Sequence, residues 1–160
     1  MFTNFNGELR RSDKTETNYF MITVNPYLYF NGNCEEAFDF YKSVFKCEFN
    51  YIGRYKDVPQ TSRGLFTEQD HKIMHVSLPI SSKTTLMGAD STALFNQPVS
   101  TSNFSLSIST DNKEEADTLF QSLSEDGEIK LPMNETFWGS YYGIVTDKFG
   151  INWKISFELD

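Results

Sequence analysis

The sequence predicts an α+β fold built from two βαβββ modules, and two observations predict it. The first is an internal repeat: NPYLYFNGNCEEAFDFYKSVF, from Asn25 to Phe45, returns in altered form as NFSLSISTDNKEEADTLFQSLS, from Asn103 to Ser124. Placing Asn25 on Asn103 pairs Leu28 with Leu106 and Phe30 with Ile108; after a one-residue slip, Glu35-Glu36-Ala37 falls on Glu114-Glu115-Ala116 and Phe40-Tyr41 on Leu119-Phe120. The second is a change of period inside each copy, from the alternation of a strand to the spacing of an amphipathic helix.

At 160 residues the chain fits one domain with a sizeable interior, and an aromatic content of 16% excludes disorder for the bulk of it. Acidic residues outnumber basic ones 22 to 14, giving a net charge of -8 with no basic block, which disfavours nucleic acid and anionic membrane as partners. Cys34 and Cys47 sit near opposite ends of the first helix, roughly 20 Å apart at 1.5 Å per residue, too far to bridge. Two lone thiols, no secretory leader and no run of about 18 apolar residues indicate a soluble, cytoplasmic protein.

Residues 1–20 are polar and unpatterned, and read as an N-terminal extension: a flexible leader, an upstream in-frame addition, or an arm that docks on a partner subunit. The domain proper spans 21–160. A first strand is expected from Thr23 to Phe30, and Asn31-Gly32-Asn33 turns the chain into a helix capped by Asn33 or Cys34. Glu35 and Glu36 sit at its positive end, and Ala37, Phe40, Tyr41, Val44 and Phe45 form its apolar stripe. CEFNYIGRY, ending at Tyr55, reads as the second strand, followed by a polar loop from Lys56 to about Asp70, a strand KIMHVSLPI and a short strand TTLMG. The first module thus covers about 21–90. Ala89 to Ser102 has the composition of a connection, placed at 91–102. In the second module, 103–160, the helix is capped by Asp111 or Asn112, buries Ala116, Leu119, Phe120 and Leu123, and ends at Glu125-Asp126-Gly127. Strands EIKLP, SYYGIVTD and INWKISFE follow, the last two joined by a turn at Asp147-Lys148-Phe149-Gly150.

Strand parity then sorts the side chains. Phe104, Leu106 and Ile108 meet the helix, and Ser105, Ser107 and Ser109 look away from it, to water or into a cleft. In the first copy Leu28 and Phe30 face the helix, whereas Asn25, Tyr27 and Tyr29 face the other way. Ile151, Trp153, Ile155 and Phe157 point inward and Asn152, Lys154 and Ser156 outward. In KIMHVSLPI, Met74, Val76 and Leu78 point inward and His75 and Ser77 outward. His75 and Lys154 are the strongly ionisable candidates these strands supply. His71 and His75 lie roughly 13 Å apart along a strand, too far to share a metal ion. There is no G-x-G-x-x-G, no P-loop and no G-x-S-x-G elbow.

PYLYFNGNCEEAFDFY at Pro26 to Tyr41, RYKDVP at Arg54 to Pro59, IMHVSL at Ile73 to Leu78, LMGAD at Leu86 to Asp90 and FWGSYYGIVTDKFGINW at Phe137 to Trp153 resemble the vicinal oxygen chelate superfamily. This is the group of glyoxalase I, bleomycin-resistance proteins and extradiol dioxygenases, and the motifs resemble its PhnB-like, or demethylubiquinone methyltransferase-like, branch. The resemblance covers nearly everything after Met21. It implies two βαβββ modules whose curled mixed sheets surround a cleft, and it implies a homodimer. Superfamily enzymes hold a divalent metal with residues from the first and last strand of each module. Those places fall here at Asn25 or Pro26, Met87 or Gly88, Asn103 or Phe104, and Lys154, a poor donor set. No cofactor is therefore expected, a divalent metal being the open alternative.

The reading that follows is a small-molecule-binding protein. Asn25, Tyr27, Tyr29, His75, Ser105, Ser107, Trp138, Tyr142 and Lys154 would line a cleft for an aromatic or anionic organic ligand. The alternative is a lyase, isomerase or similar enzyme with His75 as general base and Lys154 or a tyrosine hydroxyl stabilising an oxyanion. A third reading is a scaffold whose cleft is filled by its own aromatic side chains.

Overall fold

Ala37, Phe38, Tyr41 and Val44 recur at the spacing that brings i, i+4 and i+7 onto one helical face, and all four are buried in the helix they form. The computed structural model describes residues 23–59, 70–91 and 103–159. The elements are β1 (Tyr27–Phe30), α1 (Cys34–Phe45), β2 (Tyr51–Arg54), β3 (Ile73–Pro79), β4 (Thr85–Asp90), β5 (Leu106–Ser109), α2 (Lys113–Leu123), β6 (Glu128–Glu135), β7 (Ser140–Thr146) and β8 (Asn152–Glu158). The extension expected at 1–20, most of the loop after Lys56 and nearly all of the connection at 91–102 lie outside the described residues.

The order is βαβββ twice, as the repeat predicts. Each module makes a four-stranded sheet of equivalent order, β1-β4-β3-β2 and β5-β8-β7-β6. In each, the first strand runs parallel to the last and the other pairings are antiparallel. Parity holds on β1, where Leu28 and Phe30 are buried and Tyr27 and Tyr29 exposed, and on β8, where Trp153 and Ile155 are buried and Lys154 exposed.

Four expectations are corrected. Regular pairing in the first strand begins at Tyr27 rather than Thr23, and in the second at Tyr51, after Lys46 has ended α1 in the left-handed region. On β3, Gly53 pairs with His75 but Arg54 with Ile73, so Met74 is an extra residue; this bulge makes Ile73, and not Met74, the buried residue. Ala89 and Asp90 belong to β4 and not to a connection. Glu125-Asp126-Gly127 follows the end of α2 as expected, with Asp126 in the left-handed region and a Cβ on Gly127 excluded by the Thr146 carbonyl.

Asn33 stands at the cap of α1, yet its side chain makes no capping bond. The carboxylate of Asp90, at the end of β4, takes that role: Oδ1 accepts from the Gly32 and Cys34 amides at 2.9 and 3.0 Å, and Oδ2 from the Ile73 amide at 2.8 Å. A negative charge at the positive end of the helix is thereby held by three amides and fixes α1 to its own sheet. The second helix is capped locally, Asn112 Oδ1 accepting from the Glu115 amide at 2.8 Å.

Helix α1 belongs to both modules. Phe38 lies on β4 where Gly88 leaves room, since a Cβ there would sit 2.5 Å from its ring. From the other side Tyr41 and Phe45 meet Trp153 of β8, ring centroids 5.7 and 5.8 Å apart. The helix-facing residues of both sheets therefore join one core. Asp147, 3% exposed, closes it. Its Oδ1 accepts from the Phe149 and Ile151 amides at 2.9 and 3.0 Å, and its Oδ2 from the Tyr41 hydroxyl at 2.7 Å and the Trp153 indole at 2.8 Å.

Removing one donor from this buried carboxylate leaves part of its charge uncompensated. Tyr41→Phe is expected to cost about 1.5–3 kcal/mol, and Asp147→Asn, which turns an amide NH2 towards donors, about 3 kcal/mol or more, both read from urea unfolding midpoints. The cysteines supply an independent check. Burial pushes the Cys34 thiol far up, with Asp90 and Glu35 adding to it, whereas half-buried Cys47 is raised by burial and by Glu48. A thiol reagent should label Cys47 slowly in the native protein and reach Cys34 only in denaturant.

Candidate functional site

The face of the first sheet opposite α1 is made by alternate residues of four strands: Tyr27 and Tyr29 on β1, Met87 and Ala89 on β4, His75 and Ser77 on β3, Tyr51 and Gly53 on β2. None of these side chains is an acid, a lysine or an arginine. Gly53 has no side chain because the ring of Tyr51 lies across it. Tyr27 packs on Tyr29 with centroids 5.2 Å apart and on His75 at 5.6 Å, and Tyr51 reaches His75 at 5.9 Å. The rings form one shelf, on which Tyr27, Tyr29 and Tyr51 are 38, 39 and 48% exposed. A half-wet tyrosine row offers stacking surface with polar tips. The Tyr27 hydroxyl lies 3.0 Å from His75 Nδ1. Partial burial and the neighbouring Tyr29 push the Tyr27 phenol up to about 12, so it stays protonated at neutral pH.

The corresponding face of the second sheet differs in chemistry. Ser107 and Ser109 of β5 lie beside Lys154 and Ser156 of β8, which in turn lie beside Ile144 and Tyr142 of β7. Lys154 is exposed and, among the described residues, has no carboxylate at ion-pair distance. Trp138, in the turn between β6 and β7, meets Tyr142 edge-on at 6.1 Å and Phe137 at 4.8 Å.

The predicted cleft residues therefore form two groups. Tyr27, Tyr29 and His75 share the first sheet, and Ser107, Trp138, Tyr142 and Lys154 share the second. Both sheets meet the common core with their helix-covered faces, and among the described residues no ring contact joins the two groups. Asn25 does not join the shelf through its side chain, whose Oδ1 accepts from the Thr85 amide at 3.0 Å. Ser105 is exposed before β5 begins. Tyr51 and Phe137, the latter 97% exposed, are site candidates the sequence reading missed. Applying parity to β2 would have found Tyr51; Phe137 lies in a turn, where parity is silent.

A concavity of about 580 Å³ lies elsewhere, between the end of α1, the β3–β4 turn and the start of α2. Of the predicted residues only Ser107 lines it, and its walls mix Val44, Phe45, Ile80 and Leu119 with Lys46, Glu114 and Glu115, so it is a groove at the module junction and not the tyrosine shelf.

The superfamily's metal does not fit the donors present. Asn25 spends its oxygen on Thr85, Gly88 has no side chain, Met87 offers a thioether, and Lys154 brings a positive charge. Among the described residues no three His, Cys, Asp or Glu side chains converge, and no helix is long and apolar enough to cross a membrane.

Comparison with known proteins agrees with the repeat and the sheet order. Residues 22–156 match the family model described as 3-demethylubiquinone-9 3-methyltransferase. Protein PA1353 from Pseudomonas aeruginosa is similar at 34% identity with a TM-score of 0.74, over 87% of this chain and 99% of that one. A PhnB protein from Bacillus cereus is similar at 27% identity and a TM-score of 0.66, over 84% and 98% of the two chains. A glyoxalase/bleomycin resistance protein/dioxygenase family enzyme from Burkholderia phytofirmans shares the fold, with 15% identity and a TM-score of 0.57 over 84% and 97%. With the family model matching most of its length and the same paired βαβββ modules in its relatives, the chain belongs to the 3-demethylubiquinone-9 3-methyltransferase-like (PhnB-like) family, on the glyoxalase/bleomycin-resistance fold.

Proposed function

We propose that the chain is a small-molecule-binding protein of the cytoplasm, residues 21–160 acting as one domain, which works as a homodimer. In it the aromatic shelf of one protomer faces the Lys154 surface of its partner. The observation that carries this reading is the pair of open faces, one aromatic and one bearing an ammonium with no carboxylate at ion-pair distance among the described residues, which no ring contact joins within a single chain. A two-fold dimer brings each against the other twice, as an isologous interface requires. The ligand class follows from the chemistry: a planar ring stacks on Tyr27, Tyr29 and Tyr51, and a carboxylate or phosphonate meets Lys154.

The methyl transfer in the family's description finds no support in these residues. A nucleotide-type cofactor is commonly taken by a glycine-rich turn aimed at a free helix N-terminus. Here the turn after β1 is Asn31-Gly32-Asn33, and the start of α1 is already filled by Asp90. A second reading, an enzyme with His75 as general base, requires the opposite polarity of the Tyr27 contact, with Nδ1–H donating to the phenol oxygen and Nε2 left free to take a proton. In that reading His75→Ala abolishes turnover of a substrate while leaving the fold intact.

Light scattering should give a mass of two chains. Titration with benzoate and phenylphosphonate should change tryptophan fluorescence through Trp138, and the neutral analogue benzyl alcohol should bind about tenfold more weakly. A monomer, or a protein whose melting temperature responds to no aromatic acid, overturns the proposal. Lys154→Gln should erase the preference for acid over alcohol without altering the melting temperature, since Lys154 is exposed and unpaired among the described residues.

A further inference from the structure

We infer that Tyr27 is a positioning residue that holds His75 as its Nε2–H tautomer, so that the shelf presents a hydrogen-bond donor and selects planar ligands carrying an acceptor atom on the ring or beside it. The ligand half of this inference rests on the binding reading above; the tautomer half does not.

Tyr27 and His75 come from β1 and β3, which are separated by β4 in the sheet, so the contact spans a whole strand. The hydroxyl sits 3.0 Å from Nδ1, and the two rings stack with planes 24° apart. Such a contact has two polarities. Either the phenol donates to the Nδ1 lone pair, leaving the proton on Nε2, or Nδ1–H donates to the phenol oxygen, leaving Nε2 bare. Two features favour the first. A phenol O–H is a stronger donor than an imidazole N–H, and the imidazole nitrogen a stronger acceptor than a phenol oxygen. In addition, among the described residues Nδ1 is the partner found for the Tyr27 hydroxyl, so the reverse polarity would leave the phenol proton without a protein acceptor. The high pKa of Tyr27 supports this, because the proton that makes the bond is present throughout the neutral range.

With Nδ1 engaged, Nε2–H is the group His75 offers to a ligand. The other side chains of that sheet face, Tyr29, Tyr51, Met87, Ala89 and Ser77, include no acid, lysine or arginine. A ligand oxygen or ring nitrogen with a free lone pair is stabilised there, while a group that can only donate leaves Nε2–H unpaired on binding. Proton abstraction by His75 requires a lone pair on Nε2, which this tautomer lacks.

The test is a two-bond 15N–1H spectrum of the full chain without ligand, the His75 signals being separated from those of His71 with His71→Gln. The expected result is an unprotonated Nδ1 and a protonated Nε2 in the neutral protein, with Tyr27→Phe giving two averaged nitrogens. A protonated Nδ1, averaged nitrogens in the unsubstituted protein, or a Tyr27→Phe spectrum identical to the original overturns the inference. If Tyr27→Phe fails to fold, the unsubstituted spectrum alone decides the tautomer. Benzoate added afterwards should shift the Nε2 signal and bind about five- to tenfold more weakly to Tyr27→Phe. A benzoate that binds without moving Nε2 defeats the ligand half. A benzoate that does not bind defeats both the ligand half and the binding reading, leaving the tautomer result intact.

Discussion

The carboxylate of Asp147 is the interaction on which the arrangement of this molecule depends. It sits in the turn between β7 and β8 of the second module, yet one of its four donors, Tyr41, comes from the helix of the first. A buried charge of this kind tolerates little displacement, because each lost donor leaves it poorly solvated in a medium that cannot replace water. It therefore fixes more than a turn. By holding Tyr41 against Trp153 it makes α1 pack on both sheets at once, and it sets the direction in which each sheet presents its other face. Asp90 does the equivalent work inside the first module, joining the start of α1 to β3 and β4. Two aspartates, each at or just beyond the end of a strand, thus tie α1 to strands of both modules.

Much of this was legible in the sequence, for local reasons. The two helices follow from apolar spacing, and the faces of β1 and β8 from alternation, because both signals are written in neighbouring residues. The repeat extended them to a common sheet order. What failed was non-local. Ala89-Asp90 precedes a stretch rich in Ser, Thr, Asn and Pro and reads as part of it, whereas the residues that Asp90 serves lie 17 to 58 positions away. The bulge at Met74 leaves no mark in β3 itself; it is a property of the pairing with β2. That the two sheets join one core through α1 is likewise decided by which residues of one module meet the other, and alternation within a strand carries no information about that.

The repeat also shows what the two halves do not share. Their architecture is the same, but equivalent positions on their open faces carry different chemistry. On the first strand, Tyr27 and Tyr29 stand where the second copy has Ser105 and Ser107; on the last strand of each module, the partner of Tyr29 is Ala89 and the partner of the equivalent Ser107 is Lys154. An aromatic, uncharged surface is thus matched by a polar, cationic one. Neither is suited to hold a small ligand alone: a flat shelf leaves one side of a stacked ring in water, and an exposed lysine is a weak anion site in high dielectric. Together they supply the two terms that each lacks, apolar burial and a charge that becomes stronger as water leaves.

That complementarity bears on whether the site binds or transforms. Catalysis on this fold usually enlists a metal, which polarises an oxygen and removes the need for a strong protein base; here the equivalent positions hold the engaged amide of Asn25, the thioether of Met87 or bare Gly88, the amide of Asn103 or ring of Phe104, and the ammonium of Lys154. The burden would then fall on His75, and its usefulness as a base turns on one proton. A tyrosine that keeps its hydrogen and aims it at Nδ1 stabilises the imidazole with its other nitrogen protonated, which converts a potential base into a recognition donor. Aspartate or glutamate in the place of Tyr27 would reverse the polarity, accepting from Nδ1–H and leaving Nε2 free to take a proton, as in Ser-His-Asp sites. In the reading proposed above, the identity of the residue at position 27 therefore separates recognition from proton transfer on an otherwise unchanged shelf.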